Sequence, residues 1–278
     1  MSLCSPPPFK QGLAFLLSAC ALVGMLIIGG CAQPGPGAPG TSLSGDLVTD
    51  SDEPEHRKRA KVRLELAVAY FEQGQTGVAL DELKQALALD PVFPEAFNLR
   101  GLVYMRLNDN ALAEDSFRRA LALNPRDADA QHNYGWLLCQ MGRHTDSERA
   151  FGQAMSSALY ANRAKTLMAM GLCQMRAGRA GDAEKNLARA YELDPGNPVT
   201  TYNLTQLLYQ RADYERAQFY IRRLNNSDLA NAETLWLGVK VERRMQNLEA
   251  MDQLAGQLKR RYPQSRELAS FERGAFDE

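Results

Sequence analysis

Ala86–Leu–Ala–Leu–Asp–Pro91 recurs as Ala120–Leu–Ala–Leu–Asn–Pro125 and again as Ala190–Tyr–Glu–Leu–Asp–Pro195. The first two prolines lie 34 residues apart, and the third lies 70 residues after the second, close to two further periods. Each phrase ends a stretch of helical periodicity, because proline donates no backbone hydrogen bond and its ring clashes with the preceding turn. A 34-residue period of this kind predicts stacked helix pairs, an architecture that usually binds other molecules.

Residue size is also constrained at fixed positions of the repeat. Aligned on the prolines, the repeats begin at Ala60, Pro94, Ala128, Ala164, Pro198 and, loosely, Asn231. Position 8 is small and holds Ala67, Gly101, Gly135, Gly171, Thr205 and Gly238. Position 24 is bulky and holds Leu83, Phe117, Phe151, Leu187, Ile221 and Leu254. The small residues allow the two helices of a pair to cross closely, and the bulky residue is expected to fill the gap to the next pair.

This pattern resembles the tetratricopeptide repeat over residues 60–263. The resemblance implies an all-α, right-handed superhelical solenoid of about six tetratricopeptide (TPR) helix pairs, which we assign to residues 56–263. Repeat three departs from the pattern, because Leu159 replaces its proline and the repeat is two residues longer. Repeats five and six are degenerate, with Leu224 and Gln257 in place of a small residue. Residues 264–278 are predicted to form a C-terminal capping helix and tail, since a terminal repeat needs a polar outer face.

The overall charge argues against a nucleic-acid partner. The 278 residues include 32 Lys and Arg against 33 Asp and Glu, and the two signs are interspersed. A protein that binds DNA or RNA normally carries a basic stripe, which this sequence lacks.

The N-terminus has the features of a secretory leader. Lys10 provides a positive charge ahead of an apolar run over residues 12–28, which ends in Ile28–Gly–Gly–Cys31. A small pair directly before a cysteine resembles a bacterial lipobox, and it implies cleavage before Cys31 and acylation of that residue. We therefore predict a lipoprotein signal peptide at residues 1–30.

Two alternatives to this leader stay open. The apolar run is near the minimum length of a membrane span, so it could serve as an uncleaved anchor. Leu17–Ser–Ala–Cys20 is a second, weaker match to the lipobox, but cleavage there would leave a very apolar tail on the mature protein.

Residues 31–55 are predicted to comprise the lipidated cysteine and a flexible tether. Pro, Gly and Ser dominate this segment, and no apolar period fits it. Ala32, rather than aspartate, follows the lipidated cysteine. By resemblance to bacterial lipoprotein sorting, this favours the outer membrane, so we expect a lipid-anchored protein that faces the periplasm.

A groove can be located from the repeat register. In such repeats, positions 2, 5, 9 and 12 of the first helix line the concave face. Positions 5, 9 and 12 hold Leu64, Val68, Phe71, Asn98, Leu102, Met105, His132, Trp136, Cys139, Met168, Leu172, Met175, Tyr202, Gln206 and Tyr209. Methionine and tyrosine adapt to partner shapes, so we predict a groove for a peptide segment or an amphipathic helix. Packing against the neighbouring helix would also explain some of these residues. The set lacks the lysines with which some TPR domains clamp a C-terminal carboxylate.

The sequence offers little that could support catalysis or metal binding. Its three histidines, His56, His132 and His144, fit no metal-binding spacing such as H-E-x-x-H. Neither a G-x-S-x-G motif nor a phosphate-binding glycine loop is found. We therefore predict a protein without enzymatic activity, cofactor, metal or small-molecule substrate.

Cys139 and Cys173 lie 34 residues apart, in the first helices of repeats three and four. The oxidising periplasm would permit a disulfide between them. Two buried thiols are the alternative, because free cysteine is common in helical cores.

Asn133–Tyr–Gly–Trp–Leu–Leu–Cys139–Gln, followed by Gly142, carries a narrower resemblance. The phrase resembles the third repeat of the type IV pilus biogenesis lipoproteins, the PilF/PilW pilotin family. That resemblance implies an outer-membrane lipoprotein that binds secretin subunits and promotes their localisation and multimerisation. A general periplasmic scaffold, which organises peptidoglycan enzymes or another envelope assembly complex, is the alternative function.

Overall fold

The computed structural model describes residues 53–277, and it consists there of thirteen helices without a strand. They are α1 Glu55–Glu72, α2 Thr76–Leu89, α3 Pro94–Arg106, α4 Asn110–Leu123, α5 Ala128–Gln140, α6 His144–Ala154, α7 Arg163–Arg176, α8 Ala180–Leu193, α9 Pro198–Gln210, α10 Tyr214–Asn225, α11 Ala232–Arg244, α12 Leu248–Arg261 and α13 Arg266–Glu272. Helices α1 to α12 pack as six consecutive pairs, and each pair stacks on the next. The prediction of an all-α repeat solenoid is therefore confirmed.

The predicted leader at residues 1–30, the lipidation site Cys31 and most of the tether lie outside the described residues. Among the helices of residues 53–277, none combines the length and the apolar character that a membrane span requires.

Local sequence signals explain where many helices begin. Pro94 and Pro198 occupy the first turn of α3 and α9, where the missing N–H has no helical partner to lose. Asp109 accepts a hydrogen bond from the backbone N–H of Leu112 and so caps α4. The same type of cap is formed at α5, α9, α11, α12 and α13 by Asp127, Asn197, Asn231, Asn247 and Ser265.

A residue with left-handed backbone closes the turn inside each helix pair. These residues and their φ angles are Gly74 (78°), Asn108 (58°), Gly142 (74°), Gly178 (73°), Ala212 (61°) and Gln246 (59°). They recur every 34 residues, except for a 36-residue interval between Gly142 and Gly178. The turn reverses the chain direction, so that the second helix of each pair packs back against the first.

The small and bulky positions of the repeat meet within a helix pair. A Cβ atom added at Gly101 would lie 2.6 Å from the Phe117 ring. The corresponding Cβ at Gly171 would lie 2.7 Å from Cγ of Leu187. The bulky residue thus packs within its own pair as well as against the next pair. Phe117 contacts its own pair through Gly101 and also clusters with Leu137 of the next pair.

The two extra residues of repeat three lie in the connection between α6 and α7. Helix α6 has only 11 residues, and the loop that follows it spans 155–162. Leu159, which stands in place of the repeat proline, is 94% exposed. Tyr160 points inward instead and is 8% exposed. The backbone carbonyls of Met155 and Ser157 accept hydrogen bonds from Arg163 at 2.8 and 3.2 Å, which ties the loop to the start of α7.

Helix α13 covers the apolar end of the last pair. Leu268 joins a buried cluster with Leu235 of α11 and Leu258 of α12. Phe276, beyond α13, lies with its ring centroid 5.3 Å from that of Trp236. This packing removes apolar surface of α11 and α12 from water, as the C-terminal end of a repeat stack requires.

Candidate functional site

The first helices of successive pairs stand next to one another and form one layer of the solenoid. Helices α1 and α3, α3 and α5, α5 and α7, and α9 and α11 are in contact. Most of the predicted groove residues on this layer are only partly buried, whereas His132 and Cys139 are 5% and 2% exposed. Cys139 therefore forms part of the core beneath the surface, which corrects its assignment to the face of the groove, whereas His132 is largely enclosed but still borders the cavity.

The predicted groove contains a cavity of about 260 Å³ between α3, α5 and α7. It is lined by Leu102, His132, Asn133, Trp136, Lys165, Met168, Ala169 and Leu172. Five of these, Leu102, His132, Trp136, Met168 and Leu172, belong to the predicted set. The cavity thus brings together predicted residues from repeats two, three and four.

Three lining residues, Asn133, Lys165 and Ala169, lie outside the predicted set. Asn133 and Ala169 occupy position 6 of their repeats, next to the predicted position 5. Lys165 occupies position 2, which faces the groove in this type of repeat but was not read from the sequence. The set at positions 5, 9 and 12 contains no lysine, but the exposed Lys165 at position 2 lines the cavity.

His132 lines this cavity with an uncharged imidazole ring. Its Nδ1 lies 2.8 Å from Oγ1 of Thr166, which in turn lies 3.0 Å from the hydroxyl of Tyr160. Burial, with a smaller contribution from the charge of Lys165, lowers the pKa of His132 to about 4. The imidazole is therefore uncharged at neutral pH and provides shape and a hydrogen bond.

Amide and basic groups lie at the edge of the apolar cavity. Asn133 donates a hydrogen bond from Nδ2 to Oδ1 of Asn98, at 3.1 Å, across α5 and α3. The guanidinium of Arg176 lies 4.9 Å from the centroid of the Trp136 ring, within the range of a cation–π contact. The cavity thus combines an apolar floor with a small number of polar groups, which is the usual composition of a binding pocket.

A disulfide joins Cys139 of α5 to Cys173 of α7, with a Cα–Cα distance of 5.7 Å. The two cysteines form a buried cluster with Phe151 and Ala169, and Trp136 packs against it. Ala169 and Trp136 also line the cavity. The disulfide therefore links the two helices whose separation sets the width of the cavity.

Several predicted groove residues also pack against the buried cores of the helix pairs. Leu64 and Phe71 pack against the core of the first pair, and Met168, Met175, Tyr202 and Tyr209 pack against the core around α8 to α11. Packing between neighbouring helices accounts for much of their burial, as the alternative interpretation held. A cationic side chain lies over each of two further aromatic rings. Cζ of Arg106 lies 3.7 Å from the centroid of the Phe71 ring, and Nζ of Lys240 lies 5.7 Å from that of Tyr209.

A second apolar surface lies on the first pair, where α1 and α2 have no preceding pair among the described residues. It encloses about 700 Å³ and is lined by Lys58, Arg59, Val62, Arg63, Leu66, Gln85, Ala88 and Leu89. Val62 and Leu66 are 55% and 39% exposed. This surface lies outside the predicted groove, although the spacing of Val62 and Leu66 places both on one face of α1.

Comparison with known proteins places the repeats in a family. A tetratricopeptide repeat family model matches residues 64–128, 99–162 and 135–198, and a second tetratricopeptide repeat model matches residues 174–235. The chain is 27% identical over 254 residues to the type IV pilus assembly protein PilF of Pseudomonas aeruginosa, which covers 91% of this chain and 97% of PilF.

Two solved structures have a similar fold. A structure of Pseudomonas aeruginosa PilF superposes with a TM-score of 0.72 at 24% identity, over 80% of this chain and 100% of that one. The crystal structure of PilW, described as a widely conserved type IV pilus biogenesis factor, gives a TM-score of 0.69 at 27% identity. That match covers 76% of this chain and 97% of PilW.

Proposed function

The chain belongs to the tetratricopeptide repeat family, and we propose that it serves type IV pilus biogenesis as a lipid-anchored pilotin. In this role it binds secretin subunits in the periplasm and promotes their outer-membrane localisation and multimerisation. The proposal draws on the similarity to PilF along 97% of that protein and to PilW, a pilus biogenesis factor. The observation that carries the binding role is the apolar cavity between α3, α5 and α7.

The cavity is suited to an apolar side chain on an extended or helical segment. Leu102, Met168 and Leu172 offer flexible apolar contacts, and the Trp136 ring offers a broad flat surface. Asn133 and Lys165 lie among these groups and can hydrogen-bond a backbone carbonyl or an acidic group of the partner. A protein segment fits this composition, and we assign the chain a binding role without catalysis or cofactor.

The proposed lipid anchor and tether would hold the binding cavity near the outer membrane. Acylation of Cys31 would contribute about 0.8 kcal/mol per methylene group buried in the bilayer, so several acyl chains would hold the protein permanently. A tether of about 24 residues gives an r.m.s. span of roughly 25–30 Å, at about 5–6 Å times the square root of its length. The solenoid could then reach a secretin subunit below the outer membrane.

Replacement of Cys31 tests whether secretin assembly requires the lipid anchor in addition to the groove. In a strain that carries Cys31→Ala, we expect secretin to remain monomeric and to be depleted from the outer membrane. Membrane fractionation and immunoblotting of secretin multimers measure both quantities. Cys20→Ala is the matched control, because it alters the weaker lipobox and should leave both quantities unchanged.

Normal secretin insertion and multimerisation with Cys31→Ala would contradict the pilotin proposal. A general scaffold for peptidoglycan enzymes predicts that outcome, together with co-purification of those enzymes with the wild-type protein.

A further inference from the structure

We propose that the Cys139–Cys173 disulfide is the oxidised form of a zinc site, which His144 completes when the disulfide is reduced. The ligand atoms of Cys139, Cys173 and His144 all lie within 4.8 Å of one another. Nδ1 of His144 lies 3.4 Å from Sγ of Cys173. The three residues come from three helices, α5, α6 and α7, so the fold itself assembles the cluster.

The spacing suits tetrahedral coordination of Zn²⁺. With Zn–S bonds of about 2.3 Å and Zn–N bonds of about 2.0–2.1 Å, tetrahedral geometry places a sulfur and a nitrogen ligand about 3.6 Å apart. The observed 3.4 Å between His144 and Cys173 is close to that separation. Two sulfur ligands of zinc lie about 3.8 Å apart. Rotation of the two cysteine side chains can reach this distance once the S–S bond is broken, because their Cα atoms are only 5.7 Å apart.

The surroundings favour a site with one open coordination position. Cys139 and Cys173 are buried, whereas His144 is partly exposed and leaves a path for the ion. Ser147 Oγ lies 3.5 Å from Sγ of Cys173, but its hydroxyl already donates to the carbonyl of Gly135 at 2.7 Å. A water molecule would therefore complete the tetrahedron, as in zinc sites with two cysteines and one histidine.

The chemistry needs a dithiol reductant in the first step. The dithiol donates two electrons and two protons to the disulfide, which yields two cysteine thiols and one oxidised dithiol. Zn²⁺ then binds the two sulfurs as thiolates and displaces two protons to solvent, while neutral His144 binds through Nδ1. The ion links α5, α6 and α7, and so it replaces the disulfide as the connection between repeats three and four.

A metal titration of the purified full chain tests this proposal. The chain is reduced with dithiothreitol, separated from the reductant without oxygen, and titrated with Co²⁺ as a spectroscopic substitute for Zn²⁺. We expect one Co²⁺ per reduced chain, with the intense charge-transfer absorption of a cobalt–thiolate bond, and displacement by Zn²⁺. The oxidised chain should bind Zn²⁺ at least about 100-fold more weakly, because its sulfurs are not available as thiolates.

Two histidine variants separate the site from nonspecific thiol binding. His144→Ala should weaken Zn²⁺ binding by more than the roughly 10–100-fold that loss of an outer-shell partner costs. His56→Ala is the matched control and should bind as the wild type does, since His56 is exposed on α1.

The proposal is overturned if the reduced chain binds Zn²⁺ no more tightly than the oxidised chain, or if His144→Ala retains full affinity. If the reduced chain unfolds, circular dichroism measures its helicity with and without Zn²⁺. Recovery of helicity with one equivalent of Zn²⁺ supports the site, and failure to recover overturns it.

Discussion

Gly135 of α5 lies against the ring of Phe151 of α6 so closely that a Cβ atom at residue 135 would be 2.8 Å from Cδ1 of that ring. Phe151 is fully buried and shares its cluster with the disulfide between Cys139 and Cys173. The ring therefore has neighbours that prevent it from moving aside. The close crossing of α5 and α6 depends on the absence of a side chain at residue 135.

Gly135→Ala should destabilise the protein, because a methyl group must displace either the Phe151 ring or the helix. We expect a loss of about 1–3 kcal/mol in the free energy of unfolding, measured by urea denaturation. Gly152→Ala is the matched control on α6, where no heavy atom lies within 4 Å of the added Cβ. It should stabilise the protein by up to about 1 kcal/mol, because alanine is the better helix former. Equal effects of the two changes would contradict the contact.

Ala212→Gly should stabilise the protein. Ala212 has a φ of 61°, a left-handed conformation that costs an L-residue with a side chain roughly 1–2 kcal/mol. Glycine removes that cost but loses more conformational entropy on folding, so the expected net gain is about 0.5 kcal/mol. The reverse change, Gly178→Ala, should destabilise by a similar amount, about 0.5 kcal/mol, since Gly178 has a φ of 73° at the equivalent turn. Thermal unfolding of both variants shows whether each substitution raises or lowers the stability of the protein.

The fold followed from the sequence because its period, its prolines and its small residues all report the same helix pairs. The left-handed turns inside the helix pairs could not be predicted in the same way, because only three of these six turn residues are glycine. Ala212 and Gln246 adopt this conformation because the packed helices impose it, and their identities alone do not indicate it, whereas asparagine, as at residue 108, adopts it more readily.

The candidate site was predictable to the extent that it follows the repeat register. Leu102, Trp136 and Leu172 lie at expected positions and line the cavity. The burial of His132 was not predictable from the register, because it follows from tertiary packing: the imidazole lies 5.7 Å from the Phe151 ring, and its Nδ1 lies 2.8 Å from Oγ1 of Thr166.

The stability of the protein should depend on His132 in mildly acidic solution. The pKa of His132 is lowered by burial to about 4, below the value near 6.5 of the unfolded chain. The unfolded state therefore binds more protons between these values, and stability falls as the pH decreases through this window. His132 should account for a loss of about 2 kcal/mol between pH 7 and pH 4.5.

The variant His132→Gln isolates this contribution from that of the carboxylates. It keeps a hydrogen-bonding group toward Thr166 but cannot become charged, so its free energy of unfolding should fall less steeply between pH 7 and pH 4.5. The comparison is made by urea denaturation at several pH values, with His56→Ala as an exposed control. Identical slopes for wild type and His132→Gln would show that the imidazole titrates normally in the folded state.

A charge in the cavity should disrupt partner binding while the fold survives. Leu102→Glu places a carboxylate among apolar side chains that a bound segment would cover, and Trp136→Glu removes a broad contact surface as well. We expect each variant to weaken secretin binding in a pull-down at least about 10-fold, which corresponds to about 1.4 kcal/mol. Circular dichroism should show unchanged helicity for Leu102→Glu, since its side chain is only partly buried.

Two further variants define where on the solenoid the partner binds. Leu159→Glu makes the same chemical change at a residue that is 94% exposed in the loop after α6, and it should leave binding unchanged. Val62→Glu alters the apolar surface of the first pair instead of the cavity. If Val62→Glu abolishes binding while Leu102→Glu and Trp136→Glu retain it, the partner binds at the end of the stack, and the cavity between α3, α5 and α7 is not the binding site. The assignment to the cavity requires the opposite pattern, because three successive repeats contribute to this one apolar pocket.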